Sequence, residues 1–286
     1  MRVLITGGRG QLARWVQRTA PAAADIAALS RQELDITDAA AVERAIQEMR
    51  PQLVVNCAAY TQVDRAEAEK EQAFAVNAEG AGNLAKSAER AGAKFIHVST
   101  DFVFDGHSSR PYATDALTGP INVYGQSKLA GERAVFLAAP DALIVRTAWL
   151  YDNGGRNFVT TMLRLMAERD ELRIVEDQVG TPTNCRTLAS AIWNLVDRRA
   201  AGLYNATDAG VASWYDFAVA IRDEAMACSL LDRAPRILPI RTEDFPTAAK
   251  RPSYSVLDKS KTWMELGASA RHWRTELADS LREGSR

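Results

Sequence analysis

Tyr124 and Lys128 are the two residues of this sequence whose types and spacing best suit acid–base chemistry. They stand four positions apart, and residues four apart on a helix share one face. A nearby ammonium group stabilises the phenolate and lowers the pKa of a phenol from its usual value of about 10. A tyrosine tuned in this way can donate a proton near neutral pH. A solvated Tyr and Lys on a surface helix give the same pattern, so the interpretation depends on context.

A glycine-rich turn near the amino terminus supplies that context. Gly7, Gly10 and Ala13 follow the apolar run Val3-Leu4-Ile5 at intervals of three residues. This spacing suits a tight turn, a close approach of the backbone to a pyrophosphate, and close packing of the next helix on a sheet. The free N–H groups and the dipole of that helix would favour the negative charge. With the tyrosine–lysine pair, the turn predicts an NAD(P)-dependent redox enzyme.

The residues after the second apolar run bear on the choice of cofactor. In NAD-specific Rossmann sites an acidic residue at this place binds the ribose 2′-hydroxyl. Here the sequence has Ser30 and Arg31, which can bind a 2′-phosphate that a carboxylate would repel. Asp35 lies a few residues later and suits either a bond to the adenine amino group or a helix cap. We therefore expect NADPH, with NADH as the alternative.

Short apolar runs alternate with helical patterns through the first half of the chain. The runs that predict strands buried on both faces are Val3-Leu4-Ile5, Ile26-Ala27-Ala28-Leu29, Leu53-Val54-Val55-Asn56, Phe95-Ile96-His97-Val98 and Leu143-Ile144-Val145. The predicted helices cover about 10–20, 38–50, 67–91 and 121–138, with Asp38 as an N-cap and Pro51 and Gly92 as stops. This alternation predicts an α/β fold, a Rossmann doubly wound parallel sheet.

The second half of the chain predicts a smaller C-terminal α/β domain that binds the substrate. Helices are expected near 157–168, near 185–199 and after Ser213, and the stretch from Ala234 to Pro252, with four prolines, is expected to be mostly loop. We therefore divide the chain into an NAD(P)-binding domain over 1–150, with a returning segment near 183–202, and a substrate domain over 151–286.

Composition and charge exclude several classes of function. With 35 basic and 36 acidic residues, no basic stripe marks a nucleic-acid surface. The apolar start is too short for a signal peptide, and no segment approaches a membrane span, so we expect a cytoplasmic protein with no membrane partner. Cys57, Cys185 and Cys228 lack metal-ligand spacing, as do the three histidines. The expected chemistry therefore needs no metal site.

Longer segments resemble one known family. They are Val55-Asn56-Cys57-Ala58-Ala59-Tyr60-Thr61, Val98-Ser99-Thr100-Asp101-Phe102-Val103-Phe104-Asp105-Gly106, Lys128-Leu129-Ala130-Gly131-Glu132, Arg146-Thr147-Ala148-Trp149-Leu150-Tyr151, Asn157-Phe158, Asp177-Gln178-Val179-Gly180-Thr181-Pro182-Thr183 and Arg251-Pro252. With them the chain resembles the extended short-chain dehydrogenase/reductases, and within these the dTDP-4-dehydrorhamnose reductase family, over nearly its whole length. The resemblance implies NADPH-dependent reduction of the 4-keto group of dTDP-4-dehydro-L-rhamnose to dTDP-L-rhamnose.

The resemblance also implies which residues act. Tyr124 would donate the proton to the developing 4-alkoxide, Lys128 would bond the nicotinamide ribose, and Thr100 would hydrogen-bond the sugar oxygen. The residues expected to bind the cofactor are Gly7, Gly10, Gln11, Leu12, Ser30, Arg31, Asp35, Ile36, Ala59, Tyr60, Thr61, Val98, Tyr124 and Lys128. The residues expected to contact the nucleotide sugar are Val63, Thr100, Asp101, Trp149, Asn157, Gln178 and Arg251. Trp149 could also be a core aromatic, and its spacing alone favours that interpretation.

Two departures from the family pattern limit what carries over. Ala13 replaces the third glycine and adds only a methyl group at the helix–sheet contact. Some family members dimerise through magnesium held by glutamates, whereas the corresponding positions here are Trp15 and Arg186. We therefore expect a monomer or a weak homodimer, without a bridging Mg²⁺.

Other activities of the same superfamily remain as alternatives. A 4,6-dehydratase needs an Asp-Glu pair after the active-site Thr, but Phe102 follows Asp101 here. An epimerase retains NAD, which Ser30 and Arg31 do not favour. A 4-ketoreductase of another deoxysugar pathway would share every motif, because C4 stereochemistry depends on small pocket differences. A non-catalytic regulatory subunit of the same fold is the other alternative.

Overall fold

A six-stranded parallel sheet forms the centre of the computed structural model, which describes residues 1–284. Its strands, numbered along the chain, are β1 (Arg2–Thr6), β2 (Asp25–Leu29), β3 (Leu53–Asn56), β4 (Lys94–Thr100), β5 (Leu143–Thr147) and β10 (Gly202–Asn205). The spatial order is β10-β5-β4-β3-β1-β2, with every neighbouring pair parallel. The five predicted strands of the first half are confirmed.

Helices cover both faces of this sheet. On one face lie α1 (Gln11–Arg18) and α8 (Cys185–Asp197), and on the other lie α2 (Ala39–Met49), α5 (Ala81–Arg90) and α6 (Val123–Ala138). Each face of the strands is therefore buried under an apolar helix stripe, and the predicted doubly wound α/β fold is confirmed. The strand order reverses between β1 and β3, and ligands of such sheets bind at the carboxyl ends of the strands near this point.

Predicted helix boundaries agree with the structure where a cap or a stop is encoded locally. Asp38 caps α2, its side chain accepting a hydrogen bond from Ala41 N at 3.0 Å. The helix ends at Arg50, in the left-handed region with φ +46°, directly before Pro51. Gly92, with φ +66°, follows the last turn of α5.

The single helix predicted over about 67–91 is wrong. The structure has two short helices, α3 (Val63–Ala66) and α4 (Lys70–Phe74), and then a π-helical segment, Ala75–Gly80, that leads into α5. A π segment is rare and is typical of functional sites. The segment contains the buried side chain of Asn77, which bonds the loop after β3.

The second half of the chain forms a smaller unit around its own apolar core. Its strands are β6 (Leu150–Tyr151), β7 (Glu171–Val175), β8 (Val179–Gly180), β9 (Thr183–Asn184), β11 (Ala212–Ser213) and β12 (Arg236–Ile240). Its helices are α7 (Phe158–Glu168), α9 (Trp214–Ala227), α10 (Ser260–Leu266) and α11 (Trp273–Gly284). The core contains Tyr151, Phe217 and Trp273. The segment 185–205, by contrast, returns to the large sheet as α8 and β10.

The proline-rich stretch from Ala234 to Pro252 is more ordered than predicted. It contains β12, which pairs in parallel with β7, and a 3₁₀ turn over Thr242–Asp244. Pro239 lies within β12, where a two-stranded sheet leaves one edge unpaired and the missing N–H costs no ladder bond. Within residues 1–284, no helix has the length and apolar character needed to cross a membrane.

Candidate active site

The glycine turn between β1 and α1 lies against the ends of the neighbouring strands. Gly7 has φ +68°, and a Cβ atom there would lie 2.8 Å from Ala58 N, just after β3. A Cβ atom on Gly8 would lie 2.8 Å from the Ala28 carbonyl carbon in β2. Gly10 begins α1 and has no side chain to cap it, so the first N–H groups of the helix remain available for an anion. The turn therefore fits a pyrophosphate.

Thr100, Tyr124 and Lys128 meet at the carboxyl end of β4. Thr100 ends the strand and is 6% exposed, and the other two lie one turn apart on α6. Close packing of that helix depends on Gly125, because a Cβ atom there would overlap the carbonyl oxygen of Phe102. The same glycine places the phenol beside the threonine hydroxyl.

The environment of Tyr124 holds its proton tightly. Burial raises the pKa of the phenol to about 12, the hydrogen bond with Thr100 opposes this rise, and the charge of Asp101 adds to it. Lys128 does not lower it, contrary to the expectation from spacing. The phenol is therefore fully protonated at neutral pH in this structure, as a proton donor must be.

The amine of Lys128 is directed at β4 instead of at the phenol. Its Nζ donates to the carbonyl oxygen of Val98 at 2.7 Å and lies 3.3 Å from His97 Nε2. The side chain is nearly inaccessible, at 2% exposure, and burial lowers its pKa to about 8, against opposing contributions from Glu132 and Cys57. Desolvation of the cation therefore outweighs both nearby acidic groups.

Asp101 adds a buried carboxyl group next to the reacting side chains. Its Oδ1 accepts a hydrogen bond from Thr100 Oγ1 at 2.9 Å, and the residue is 2% exposed. Burial raises its pKa to about 6, while the neighbouring Ser255 and Thr100 lower it. The carboxylate thus orients the threonine hydroxyl, and its second oxygen, Oδ2, is buried without a hydrogen-bond partner.

The end of β2 contains an acidic group that the sequence analysis missed. Glu33 Oε2 accepts hydrogen bonds from Ser30 N at 2.8 Å and Ser30 Oγ at 2.6 Å. The serine hydroxyl expected to bind a 2′-phosphate is therefore already bonded to a carboxylate. The signal was present, because Ser30-Arg31-Gln32-Glu33 follows the S-x-x-E pattern in which Glu folds back on Ser.

Arg31 and Asp35 interact with each other across this exposed rim. Arg31 Nε lies 3.6 Å from Asp35 Oδ2, and the two side chains are 66% and 41% exposed. Asp35 also accepts from Thr37 N at 3.0 Å and Thr37 Oγ1 at 2.8 Å. It therefore closes a local turn, and the helix-capping role belongs to Asp38.

The loop after β3 is fixed by Asn77 in the π-helical segment. Asn77 Oδ1 accepts from Tyr60 N at 2.8 Å and Nδ2 donates to Tyr60 O at 3.0 Å. Its Nδ2 also contacts Ser127 Oγ on α6 at 2.9 Å. This clamp orients the backbone at Ala59 and Thr61, both expected to contact the cofactor.

Two of the expected cofactor residues point their side chains into the core. Leu12 is 6% exposed and packs with the β1 and β3 side chains, and Ile36 is 3% exposed in the core of the opposite face. Only the backbone of these residues can face a ligand. The sequence pattern gave them as ligand contacts because it does not distinguish main-chain from side-chain contacts.

Trp149 lies in a strained position between the large sheet and the smaller unit. It has φ +48°, and its ring stacks on Trp214 with centroids 3.5 Å apart and an interplanar angle of 6°. A Cβ atom on Gly180 would lie 2.6 Å from the same ring. Backbone strain in a bulky residue is typical of functional sites, which favours the sugar-facing role over that of a core aromatic.

The weaker nucleotide-sugar candidates are held by other protein groups. Asn157 caps α7, and its Nδ2 lies 3.4 Å from Gln11 Oε1. Gln178 is buried and donates to Thr242 Oγ1 at 3.1 Å. Neither contact points to a phosphate.

Arg251 makes a bidentate ion pair that competes with any phosphate. Its Nη1 and Nη2 donate to Asp64 Oδ1 and Oδ2 at 3.1 and 2.7 Å. Asp64 follows Val63 in α3, so the pair ties the C-terminal loop to the rim of the site. Sequence spacing gave no signal for this partner, because 187 residues separate the two.

Metal ligands are not assembled in the described part of the chain. Among residues 1–284, no group of three or more His, Cys, Asp or Glu side chains is placed to hold an ion. Arg186 pairs with Glu276 at 3.3 Å and Glu283 at 2.6 Å, in the region where some family members carry metal-binding glutamates.

Comparison with known proteins gives consistent matches over the full length. The family model for the RmlD substrate binding domain matches residues 1–286. A dTDP-4-dehydrorhamnose reductase of Streptomyces griseus is 44% identical over 288 residues, covering 98% of this chain and 93% of the relative. A dTDP-4-keto-6-deoxy-D-glucose reductase of Streptomyces niveus is 41% identical over 284 residues, covering 98% and 96%. A crystal structure of dTDP-4-dehydrorhamnose reductase from Bacillus anthracis in complex with NADP is 38% identical, with a TM-score of 0.94 and 99% of both chains covered.

Proposed function

Because the chain belongs to the RmlD substrate binding domain family, we propose that it is an NAD(P)H-dependent oxidoreductase that reduces dTDP-4-dehydro-L-rhamnose to dTDP-L-rhamnose. One structural observation carries the proposal. Thr100 and Tyr124 lie side by side at the carboxyl end of β4, with Lys128 one helical turn further along α6. This arrangement places two hydroxyl groups where both can reach a single carbonyl oxygen, once the threonine hydroxyl turns away from Asp101.

The proposed reaction adds one hydride and one proton to the 4-keto group. NADPH, when bound, supplies the hydride to C4. Tyr124 donates its phenolic proton to the C4 oxygen, and Thr100, after its hydroxyl turns from Asp101, donates a hydrogen bond to the same oxygen as negative charge develops on it. The phenolate that remains is reprotonated from solvent, and an ammonium group at Lys128 would stabilise it until then.

The dinucleotide fits the rim formed by the ends of β1, β2 and β3. The pyrophosphate would lie over the turn at Gly7 and the start of α1, where added side chains are excluded and N–H groups point outward. The 2′-phosphate would lie near Ser30 and Arg31, after Glu33 has moved away from the serine.

The sugar would lie between α6 and the smaller unit. Val63, Asp101 and Trp149 border this region, and the stacked Trp214 holds the Trp149 ring in place. Asn157, Gln178 and Arg251 remain proposed contacts of the nucleotide diphosphate, of which Arg251 would first have to exchange Asp64 for phosphate. We further propose a monomer or weak homodimer that acts in the cytoplasm.

A second candidate substrate follows from the similarity to the Streptomyces niveus relative. Its name states reduction of dTDP-4-keto-6-deoxy-D-glucose, and the identity of 41% is close to that of the rhamnose enzyme from Streptomyces griseus. The same Tyr124 and Thr100 can reduce either sugar, because the orientation of the ring over the nicotinamide decides the product. A pocket difference of about 1–3 kcal/mol is enough to change the preference.

The test is NADPH oxidation with each of the two keto sugars in separate reactions, with products identified by NMR. Faster turnover of dTDP-4-dehydro-L-rhamnose to dTDP-L-rhamnose would support the proposal. Faster turnover of the D-sugar would favour the second candidate. Lack of oxidation of either, by protein that binds NADPH, would favour the regulatory-subunit alternative.

A further inference from the structure

A chain of buried polar groups extends behind Lys128, away from the reacting phenol. Thr6 in β1, Asn56 in β3 and His97 in β4 are each 1% exposed, and Lys128 is 2% exposed. Buried polar groups must satisfy their donors and acceptors within the protein, so the direction of each hydrogen bond can be worked out.

The orientation of the Asn56 amide is set by a donor that cannot reverse. The backbone N–H of Ala58 donates to Asn56 Oδ1 at 3.1 Å, and Thr6 Oγ1 donates to the same oxygen at 2.7 Å. The Nδ2 group of Asn56 therefore faces His97 Nδ1, 3.1 Å away, and donates to it. His97 Nδ1 must be an acceptor and carries no proton.

The tautomer of His97 follows directly. An imidazole that accepts at Nδ1 is neutral and carries its proton on Nε2, which lies 3.3 Å from Lys128 Nζ. Turning the ring over would place carbon atoms against both Asn56 and Lys128 and satisfy neither. The imidazole therefore presents an N–H donor to the lysine nitrogen.

An ammonium group has three donors and no acceptor, so it cannot receive that hydrogen bond. A neutral amine can, while still donating to Val98 O at 2.7 Å. We propose that His97, locked as the Nε2–H tautomer by Asn56, is a positioning residue that favours the neutral amine of Lys128 over the ammonium in the free protein. This role deepens the proposed function, because the ammonium form is the one that would stabilise the phenolate of Tyr124.

Two other titratable groups near Lys128, Glu132 and Cys57, exert little negative charge on it, so the imidazole is the group that controls its protonation. Glu132, one turn along α6, makes two bonds with Arg146, at 2.7 and 2.8 Å, and one with Ser99 Oγ at 2.6 Å. The charge of the glutamate is thereby largely neutralised. Burial raises the pKa of the Cys57 thiol to about 12, so that it is uncharged at neutral pH.

The other titratable groups near the lysine are consistent with this role. Burial holds the pKa of His97 well below its usual range, and the charge of a protonated Lys128 lowers it further, so the imidazole stays neutral in either state of the lysine. Asp101 acts on Tyr124 and is not among the groups that shift the pKa of the lysine. Burial lowers the pKa of Lys128 to about 8, in the same direction as the proposed effect of the imidazole, so the ammonium predominates at pH 7 and the neutral amine above pH 8.

The test reverses the tautomer of His97 by changing Asn56, the residue that fixes it. In Asn56→Asp, the carboxylate can still accept from Ala58 N and Thr6 Oγ1, but it can only accept from His97 Nδ1–H. Nε2 then becomes an acceptor for an ammonium. The pKa of Lys128 is read from the Cε signal of ¹³C-labelled lysine in the free protein, assigned by its loss in Lys128→Met.

We expect Asn56→Asp to raise the pKa of Lys128 by at least about one unit, a tenfold change in proton affinity. Adding His97→Phe to Asn56→Asp should remove most of that rise. The new carboxylate is separated from Lys128 by the ring at position 97, so its charge alone should have a smaller effect on the lysine. An unchanged lysine pKa in folded Asn56→Asp would overturn the proposal. The same rise in the double variant would also overturn it, since the effect would then be through space.

A second measurement needs no variant of Asn56. The ¹⁵N shifts of the three histidines report the tautomer of each, with His97 assigned by its loss in His97→Phe. We expect His97 to be the neutral Nε2–H form from pH 6 to 9. An Nδ1–H or imidazolium form in that range would contradict the proposal. Both measurements use free protein, so they stand apart from any failure of the proposed reductase activity.

Discussion

Two regions on the same edge of the large sheet differ in how firmly the structure holds them. At the end of β4, Thr100, Lys128 and Glu132 are at most 6% exposed, and each is hydrogen-bonded within the protein. At the end of β2, Arg31 and Asp35 are 66% and 41% exposed, and their ion pair spans 3.6 Å. Buried charges interact strongly and exposed ones weakly. The fold therefore determines the reaction chemistry tightly and the cofactor preference loosely.

The largest effect is expected from Tyr124→Phe at the buried region. Loss of the phenol that is proposed to protonate the C4 oxygen should lower kcat by about two to four decades, with little change in NADPH affinity. Steady-state rates and a direct NADPH titration measure the two effects. Tyr204→Phe, which removes a hydroxyl bonded to Glu265 at 3.3 Å, is the control. A near-normal rate in Tyr124→Phe would remove the phenol from the mechanism.

Breaking the Glu132–Arg146 pair should strongly affect stability. The two side chains are 5% and 4% exposed, so Glu132→Gln leaves a buried guanidinium without its counter-charge. We expect the free energy of unfolding to fall by about 3–5 kcal/mol, measured in urea. Glu168→Gln, in the exposed pair with Arg164, should cost less than about 1 kcal/mol. Equal losses in the two variants would contradict the contrast between buried and exposed charges.

The depressed pKa of Lys128 predicts a pH-dependent cost of burial. Between about 8 and its usual value of 10.5, the unfolded chain binds a proton that the folded protein does not. Stability from this group therefore rises with pH across that window. We compare the free energy of unfolding of Lys128→Met with that of the wild type. The difference in favour of the variant should shrink by about 3 kcal/mol between pH 7 and pH 10.5. For the exposed Lys86→Met, the difference in the free energy of unfolding from the wild type should not depend on pH. If neither variant showed a pH-dependent difference, the lowered pKa of Lys128 would be refuted.

A smaller effect is expected from Arg31→Ala on the exposed rim. Its guanidinium is proposed to bind the 2′-phosphate, so the variant should weaken NADPH binding roughly tenfold and NADH binding much less. Titration of each cofactor by the change in protein fluorescence gives both dissociation constants. Equal losses for the two cofactors would mean that Arg31 does not contact the 2′-phosphate.

The smallest effect is expected from Glu33→Gln. The change removes the negative charge that competes for Ser30 and should strengthen NADPH binding up to about fivefold without altering kcat. The matched change Asp38→Asn, at the cap of α2, should leave the cofactor ratio unchanged. If Glu33→Gln weakened NADPH, the carboxylate would be part of the cofactor site instead of a competitor for it.

The parts of the fold that local sequence encodes were predictable. Five apolar runs became strands, Asp38 became a cap, and the glycine turn took the φ and the close contacts that exclude a side chain. The helix predicted over 67–91 begins only at Lys70 and contains a π-helical segment, in which Asn77 bonds the loop after β3; local helix propensity carries no trace of such a bond. The partner of Arg251 was missed because Asp64 is 187 residues away in the chain. The partner of Ser30 was also missed, although the local S-x-x-E pattern with Glu33 could have predicted it.

The sequence by itself determined the fold class, the glycine-rich turn after β1 and the placement of Tyr124 and Lys128 on one helix, because these follow from residue type and spacing along the chain. The tertiary structure alone decided the direction of the lysine amine, the proton on His97 and the pKa of each group. Those properties depend on burial and on hydrogen-bond partners from β1, β3, β4 and α6, which come together only when the sheet is assembled.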